Sequence, residues 1–183
     1  MKAHEDILQL LPAHSVADEL QMGGRPGSGQ SGVGSTWRGH LRVVDRALGQ
    51  RDIDEAQRAW ESAHLAAVES PSWEGLIATG EASLRIGDAT SGRTAAELSA
   101  RRAYFAALYR ACRANSFEGI LRAAEAFDAL GDREVVEECL GLAELQADGE
   151  QTRRQVMALV GRLGTKAGPS NGNAVAAGSA GAA

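Results

Sequence analysis

The sequence predicts an all-α protein: an antiparallel array of about three helix pairs, closed by a C-terminal capping helix. Short turns carrying an acidic residue recur between apolar stretches, at Gln50-Arg-Asp-Ile-Asp-Glu-Ala56, Ile86-Gly-Asp-Ala89 and Leu130-Gly-Asp-Arg-Glu-Val-Val136. Between these turns the apolar residues return at spacings of three and four, the period of a helix with one buried face. Aromatic residues make up only 4% of the chain although 44% of it is hydrophobic. An alanine-rich core follows, and small side chains suit close helix–helix packing better than a sheet. Helix–turn–helix units that recur in this way bury their faces mainly against their neighbours.

Residues 1–22 are predicted to form one or two short helices, apolar at Ile7, Leu8, Leu10 and Leu11 and interrupted by Pro12. Residues 23–36 are rich in Gly and Ser, the composition of a flexible linker. The helical domain is expected over 37–165. Its first helix starts near Trp37, with Ser35 or Thr36 as N-cap, and places Trp37, Leu41, Val44 and Leu48 on one stripe. Asp52 is the expected N-cap of the second, and Glu55 three residues on completes a capping box. Its stripe is Ile53, Ala56, Trp60, Ala63 and Ala67.

Ser70-Pro71 opens the third helix, because proline suits a first turn. Trp73, Leu76, Ile77, Gly80 and Leu84 form its buried face and Gly87 stops it. The fourth runs from about Thr94 to Arg113 and carries Leu98, Phe105, Leu108 and Cys112. Asn115 caps the fifth, with Glu118 at the boxed position, burying Ile120, Ala124, Phe127 and Leu130. Asp132 caps the sixth, which buries Val136, Cys139, Leu140 and Ala143. The seventh, over 150–163, buries Val156, Leu159 and Leu163 and turns Arg153, Arg154 and Arg162 outward, as a terminal helix of an array should. Residues 166–183 have too little bulk to offset the entropy of ordering and are expected to be a disordered tail.

A net charge of −5 argues against holding nucleic acid through its phosphates, which needs a basic patch. No apolar run approaches the roughly 20 residues of a membrane helix. The N-terminus, with Glu5-Asp6 ahead of a short apolar stretch, is unlike a secretory signal. Cys112 and Cys139 alone cannot make a disulfide framework. A cytoplasmic setting is expected. Lys2 and Lys166 are the only lysines among 19 basic residues, a usage expected of a GC-rich bacterial genome.

Residues 52–63 (DIDEAQRAWESA), 76–88 (LIATGEASLRIGD) and 120–132 (ILRAAEAFDALGD) resemble segments of the tetratricopeptide repeat. Residues 52–63 are similar to its turn and second helix, with small Ala56 and Ala63 where helices cross. Residues 76–88 resemble its first helix, with small Gly80 and a terminal Gly-Asp. Residues 120–132 repeat that pattern with Phe127 as the aromatic. The resemblance covers roughly 37–148, with an uneven period: Asp52 to Asp88 is 36 residues and Asp88 to Asp132 is 44. It implies a groove along the first helix of each pair, which would present Arg38, Leu41 and Asp45, then Glu74, Ile77 and Glu81, then Glu118, Leu121 and Glu125. Its glutamates and apolar centre would favour a basic or amphipathic protein segment. The plainer reading makes these residues solvated faces of amphipathic helices.

Chemical motifs fare worse. Gly29-Gln-Ser-Gly-Val-Gly-Ser-Thr36 matches a phosphate-binding loop except for its lysine, which is Ser35 here, and no strand precedes it. The histidines at 4, 14, 40 and 64 have no metal-ligand spacing. Cys112 and Cys139 fall on buried stripes, where a thiol acts as a small hydrophobe. Glu134, Glu137, Glu138 and Glu144 form an acidic outer face. Arg101, Arg102, Arg110 and Arg113 form either an acid-binding strip or partners for those glutamates. The three tryptophans are the large members of the core.

The resulting expectation is a non-catalytic adaptor or scaffold that binds a protein segment, with no cofactor and no metal. A regulatory module whose residues 1–22 dock on the array is the alternative, and an enzyme the remote third. A homodimer is a further expectation, because three pairs make a thin array with an end to cover.

Overall fold

The computed structural model describes the backbone of residues 33–165 and the side chains of 37–163. The expectations for 1–22, for 23–32, for the tail and for the phosphate-loop near-match before Val33 lie outside the described residues. Those residues form seven helices and no strand: α1 (Val33–Gln50), α2 (Ile53–Glu69), α3 (Glu74–Ala89), α4 (Arg93–Arg113), α5 (Phe117–Leu130), α6 (Arg133–Gln146) and α7 (Glu150–Thr165). Links of two to four residues join them, so consecutive helices lie antiparallel.

The helices make two layers. α1 packs most extensively on α2, α3 on α4 and α5 on α6. The odd helices α1, α3, α5 and α7 also touch in succession, whereas no even helix packs comparably on another. One apolar cluster runs from Trp37 to Leu159 through the array, and a smaller one joins Val44, Ala47, Ala56 and Ala59 of the first pair to Ala82 and Ile86 of α3. Tyr104 and Phe127, both in the longer cluster, are the largest fully buried side chains. They meet edge to face, with centroids 5.8 Å apart, a favoured aromatic geometry.

Helix ends show where local signals held. Asp52 Oδ1 accepts the Glu55 N–H at 2.9 Å, as expected. The capping box is half made, because the Glu55 carboxylate takes Arg46 at 2.9 Å instead. Asp52→Ala should cost about 1 kcal/mol, read as a lower urea midpoint at unchanged slope. α5 ends on Gly131 at φ +78°. There Asp132 N–H bonds to Phe127 C=O and Gly131 N–H to Asp128 C=O, the paired closure that a left-handed glycine permits.

Other ends differ from expectation. α1 starts at Val33, so Ser35 and Thr36 lie inside the helix; once Trp37 anchors it, extending a formed helix backwards costs little. Asn115 does not cap α5. It adopts φ +48°, a conformation Asn tolerates, and Ser116 takes the cap by accepting the Gly119 N–H at 3.1 Å. Asp132 stands at the N-cap of α6, but its side chain makes no cap bond. It binds Arg101 through both oxygens, at 2.7 and 3.0 Å.

Pro71 lies in the link before α3, outside the first turn. Gly87 does not stop α3, which continues to Ala89. It is a contact point, since a Cβ there would stand 2.5 Å from Ala96 Cβ on α4. Leu98 is exposed, not buried. The buried face of α4 is Ala100, Ala103, Tyr104, Ala107, Leu108 and Ala111, rotated toward the small residues that let α4 approach α3.

Candidate partner-binding face

The nine groove residues sit on odd helices, and the structure sorts them into three groups. Asp45, Glu81 and Glu125 form a ladder that stitches the odd layer together. Arg85 of α3 reaches Asp45 of α1 at 2.9 Å. Arg122 of α5 reaches Glu81 of α3 at 3.3 Å and Glu125 of its own helix at 2.7 Å. Arg162 of α7 reaches Glu125 at 2.6 Å. Each acid is thus bridged to the next odd helix. The strongly acidic groove expected from sequence is corrected here, because arginines neutralise its centre.

The second group stands at the N-terminal ends of the helices. Arg38 is exposed and lies over the Trp37 ring at 4.4 Å. Glu74 is exposed and accepts the Ser72 hydroxyl. Glu118 is exposed in the first turn of α5, where the positive helix end favours it. The third group is the apolar row. Leu41 and Leu121 are half-buried, but Ile77 is 3% exposed and belongs to the core. Ile77 is therefore not available to a ligand; it is part of the continuous core cluster that α3 shares with its neighbours.

Tyr104 went unnoticed in the sequence. It projects from α4 onto Gly80 of α3, where a Cβ would stand 2.4 Å from its Cε1. Burial raises its phenol pKa first, and Glu81 raises it further, while Arg122 and Arg85 lower it. Its ring therefore reaches from the even layer to the underside of the ladder. Gly80 makes that passage, so the ion pairs and the core share one joint.

The arginine strip does not form. Arg101 pairs with Asp132, and Arg110 donates to main-chain carbonyls of the last turn of α2 and of the α2–α3 link. Arg113 lies over Tyr109 at 5.9 Å. Neither cysteine is activated: burial pushes the Cys112 thiol up and the Cys139 thiol to about 12, the reverse of a reactive thiolate. His64 stacks on Trp60 at 5.4 Å. Among the described residues no three His, Cys, Asp or Glu side chains group as metal ligands, and no helix is long and apolar enough to cross a membrane.

A cleft of about 310 Å³ lies between α2 and α4 over α3, lined by Ile53, Gln57, Trp60, Ile86, Ala95 and Ser99 among others. In the next groove along, Arg101 of α4 reaches across to Asp132. Here Gln57 turns along its own helix to Glu61, Asp88 pairs with Arg93 beside it, and the space stays open. Against known proteins, no family model, curated protein or solved structure matches this chain.

Proposed function

We propose that this protein is a tetratricopeptide-like interaction scaffold, and that its odd-helix layer receives an amphipathic protein segment. The observation that carries this reading is the regular layer itself. Three helices present equivalent positions in register, Arg38/Glu74/Glu118 along one edge and Asp45/Glu81/Glu125 through the middle, with Leu41 and Leu121 between. The ladder ion pairs are partly exposed, from 28% to 68% of each side chain. Exposed pairs of this kind contribute only about 0–1 kcal/mol each. A ligand bearing both charges can exchange with them at small cost, while Leu41 and Leu121 take its apolar side. Glu118, exposed in the first turn of α5, adds a preference for a basic residue at one end.

Affinity capture from cell extract with the full chain tests this. Leu41→Asp with Leu121→Asp should lose the captured partner by at least about tenfold, the ratio of 1.4 kcal/mol of contact, with the circular dichroism unchanged. Capture equal to the wild type would sink the odd-layer assignment.

A further inference from the structure

Among the described residues the last odd helix, α7, has no even mate. α1, α3 and α5 each pack along an antiparallel partner, whereas α7 touches α5 and α6 and has no eighth helix behind it among the described residues. The face left over is apolar. Met157 is 70% exposed and Val160, three residues on, 41%; Leu145 in the last turn of α6 is 75% exposed. A cleft of about 440 Å³ opens between the end of α6 and α7, lined by Glu144, Ala147, Arg153, Val156 and Met157. Single exposed apolar side chains are ordinary, but Met157 lines this cleft and Val160 follows it three residues on along α7, so the two share a helix face beside the opening, the mark of a contact surface.

Charge identifies the occupant. Arg153 stands one helical turn before Met157, and Glu144 lines the facing wall. Neither belongs to an ion pair among the described residues, while the neighbouring cations are engaged, Arg154 with Glu150 and Arg162 with Glu125. A patch with an apolar centre, a free cation on one side and a free anion on the other complements its own two-fold copy. Rotation about that axis sets Arg153 against Glu144 of the second copy and repeats the pair on the far side, the reciprocity an isologous interface requires. The rest of the chain offers less. Residues 166–183 carry one large apolar residue, Val175. Residues 1–32 join α1 at the other end of the odd layer, and the Leu8 variant below separates them from a second copy.

We propose that the α6–α7 end is a dimerisation surface occupied by a second copy of this chain, with Met157 and Val160 at its centre and crossed Arg153–Glu144 pairs at its rim. It lies at the far end of the array from α1 and is independent of what the odd layer binds.

Sedimentation of the full chain over a dilution series tests it. A concentration-dependent dimer is expected. Met157→Asp should raise the dissociation constant more than about tenfold. Arg153→Glu and Glu144→Arg should each weaken the dimer, and the two together should restore it to within about threefold of wild type. Leu8→Glu should leave it unchanged. A monomer at every concentration overturns the proposal, as does a dimer indifferent to Met157→Asp or a double reversal no better than the single ones. Loss of the dimer with Leu8→Glu also overturns it and assigns the face to the N-terminal segment.

Discussion

Gly119→Ala is expected to destabilise the protein by about 1–3 kcal/mol, the usual cost of forcing a methyl into a packed core. Gly39→Ala, the same change at the equivalent position of the first odd helix, is expected to stabilise it by about 0.5–1 kcal/mol, because alanine is the better helix former. The opposite signs come from what each Cβ would meet. At Gly119 it would stand 2.6 Å from Ala111 Cβ and 2.9 Å from the Trp73 indole. Gly75 repeats this joint, with Ala67 Cβ at 3.0 Å and the Trp37 indole at 3.2 Å. At Gly39 nothing lies within 4 Å, since no odd helix precedes α1 among the described residues. The indole of one odd helix therefore rests on the glycine of the next, and the contact fixes how closely the layer closes. Urea denaturation of the two variants checks the pair. If both midpoints move the same way, the glycines are not spacers between odd helices.

That joint was legible in the sequence and shows what reading along the chain can catch. Trp37-Arg-Gly39, Trp73-Glu-Gly75 and Phe117-Glu-Gly119 share one pattern, and each aromatic precedes its turn aspartate, 52, 88 or 132, by the same interval. The odd half of every unit is thus constant. The uneven period arises after the turn aspartate, where α4 has 21 residues against 17 in α2 and starts five residues after Asp88, whereas α2 starts directly after Asp52. Helix existence and order followed from apolar spacing, because burial of one face is a local pattern. The ladder did not follow so readily. Arg122 beside Glu125 is visible at a spacing of three, but Arg85 to Asp45 and Arg162 to Glu125 cross between helices, and register between helices is set by packing. Leu98 and Tyr104 misled for the same reason. A stripe on α4 can be drawn through several apolar sets, and only Gly80 on a different helix selects the one containing Tyr104.

Arg110→Met is expected to cost about 2–4 kcal/mol, since hydrogen bonds to a charged group contribute about 1.5–3 kcal/mol and orphaned buried carbonyls add their own penalty. Arg110 reaches from α4 into the end of α2 and the link that follows. Its Nη1 donates to the carbonyls of Ala67 at 2.8 Å, Ser72 at 3.3 Å and also Ser70, and its Nη2 to Val68 at 2.6 Å. No carboxylate pairs with it among the described residues; burial lowers its pKa, and the charge is balanced by the negative end of α2 and these dipoles. Methionine can fill the volume but leaves the carbonyls without donors. Lysine should recover only part of the loss, because an ammonium cannot fork to carbonyls on both sides as a planar guanidinium does. The same contacts explain why Ser70–Trp73 is a link and not the first turn of α3, with Pro71 left at the surface: the carbonyls are turned inward around the guanidinium. Amide exchange gives a second readout. In Arg110→Met, protection should fall first at Ser70 and Ile77, whose N–H groups bond to Ala66 and Trp73, ahead of α5 and α6. A variant that loses less than about 1 kcal/mol and exchanges uniformly would mean that water replaces the guanidinium without strain. The link would then owe its shape to Pro71 alone.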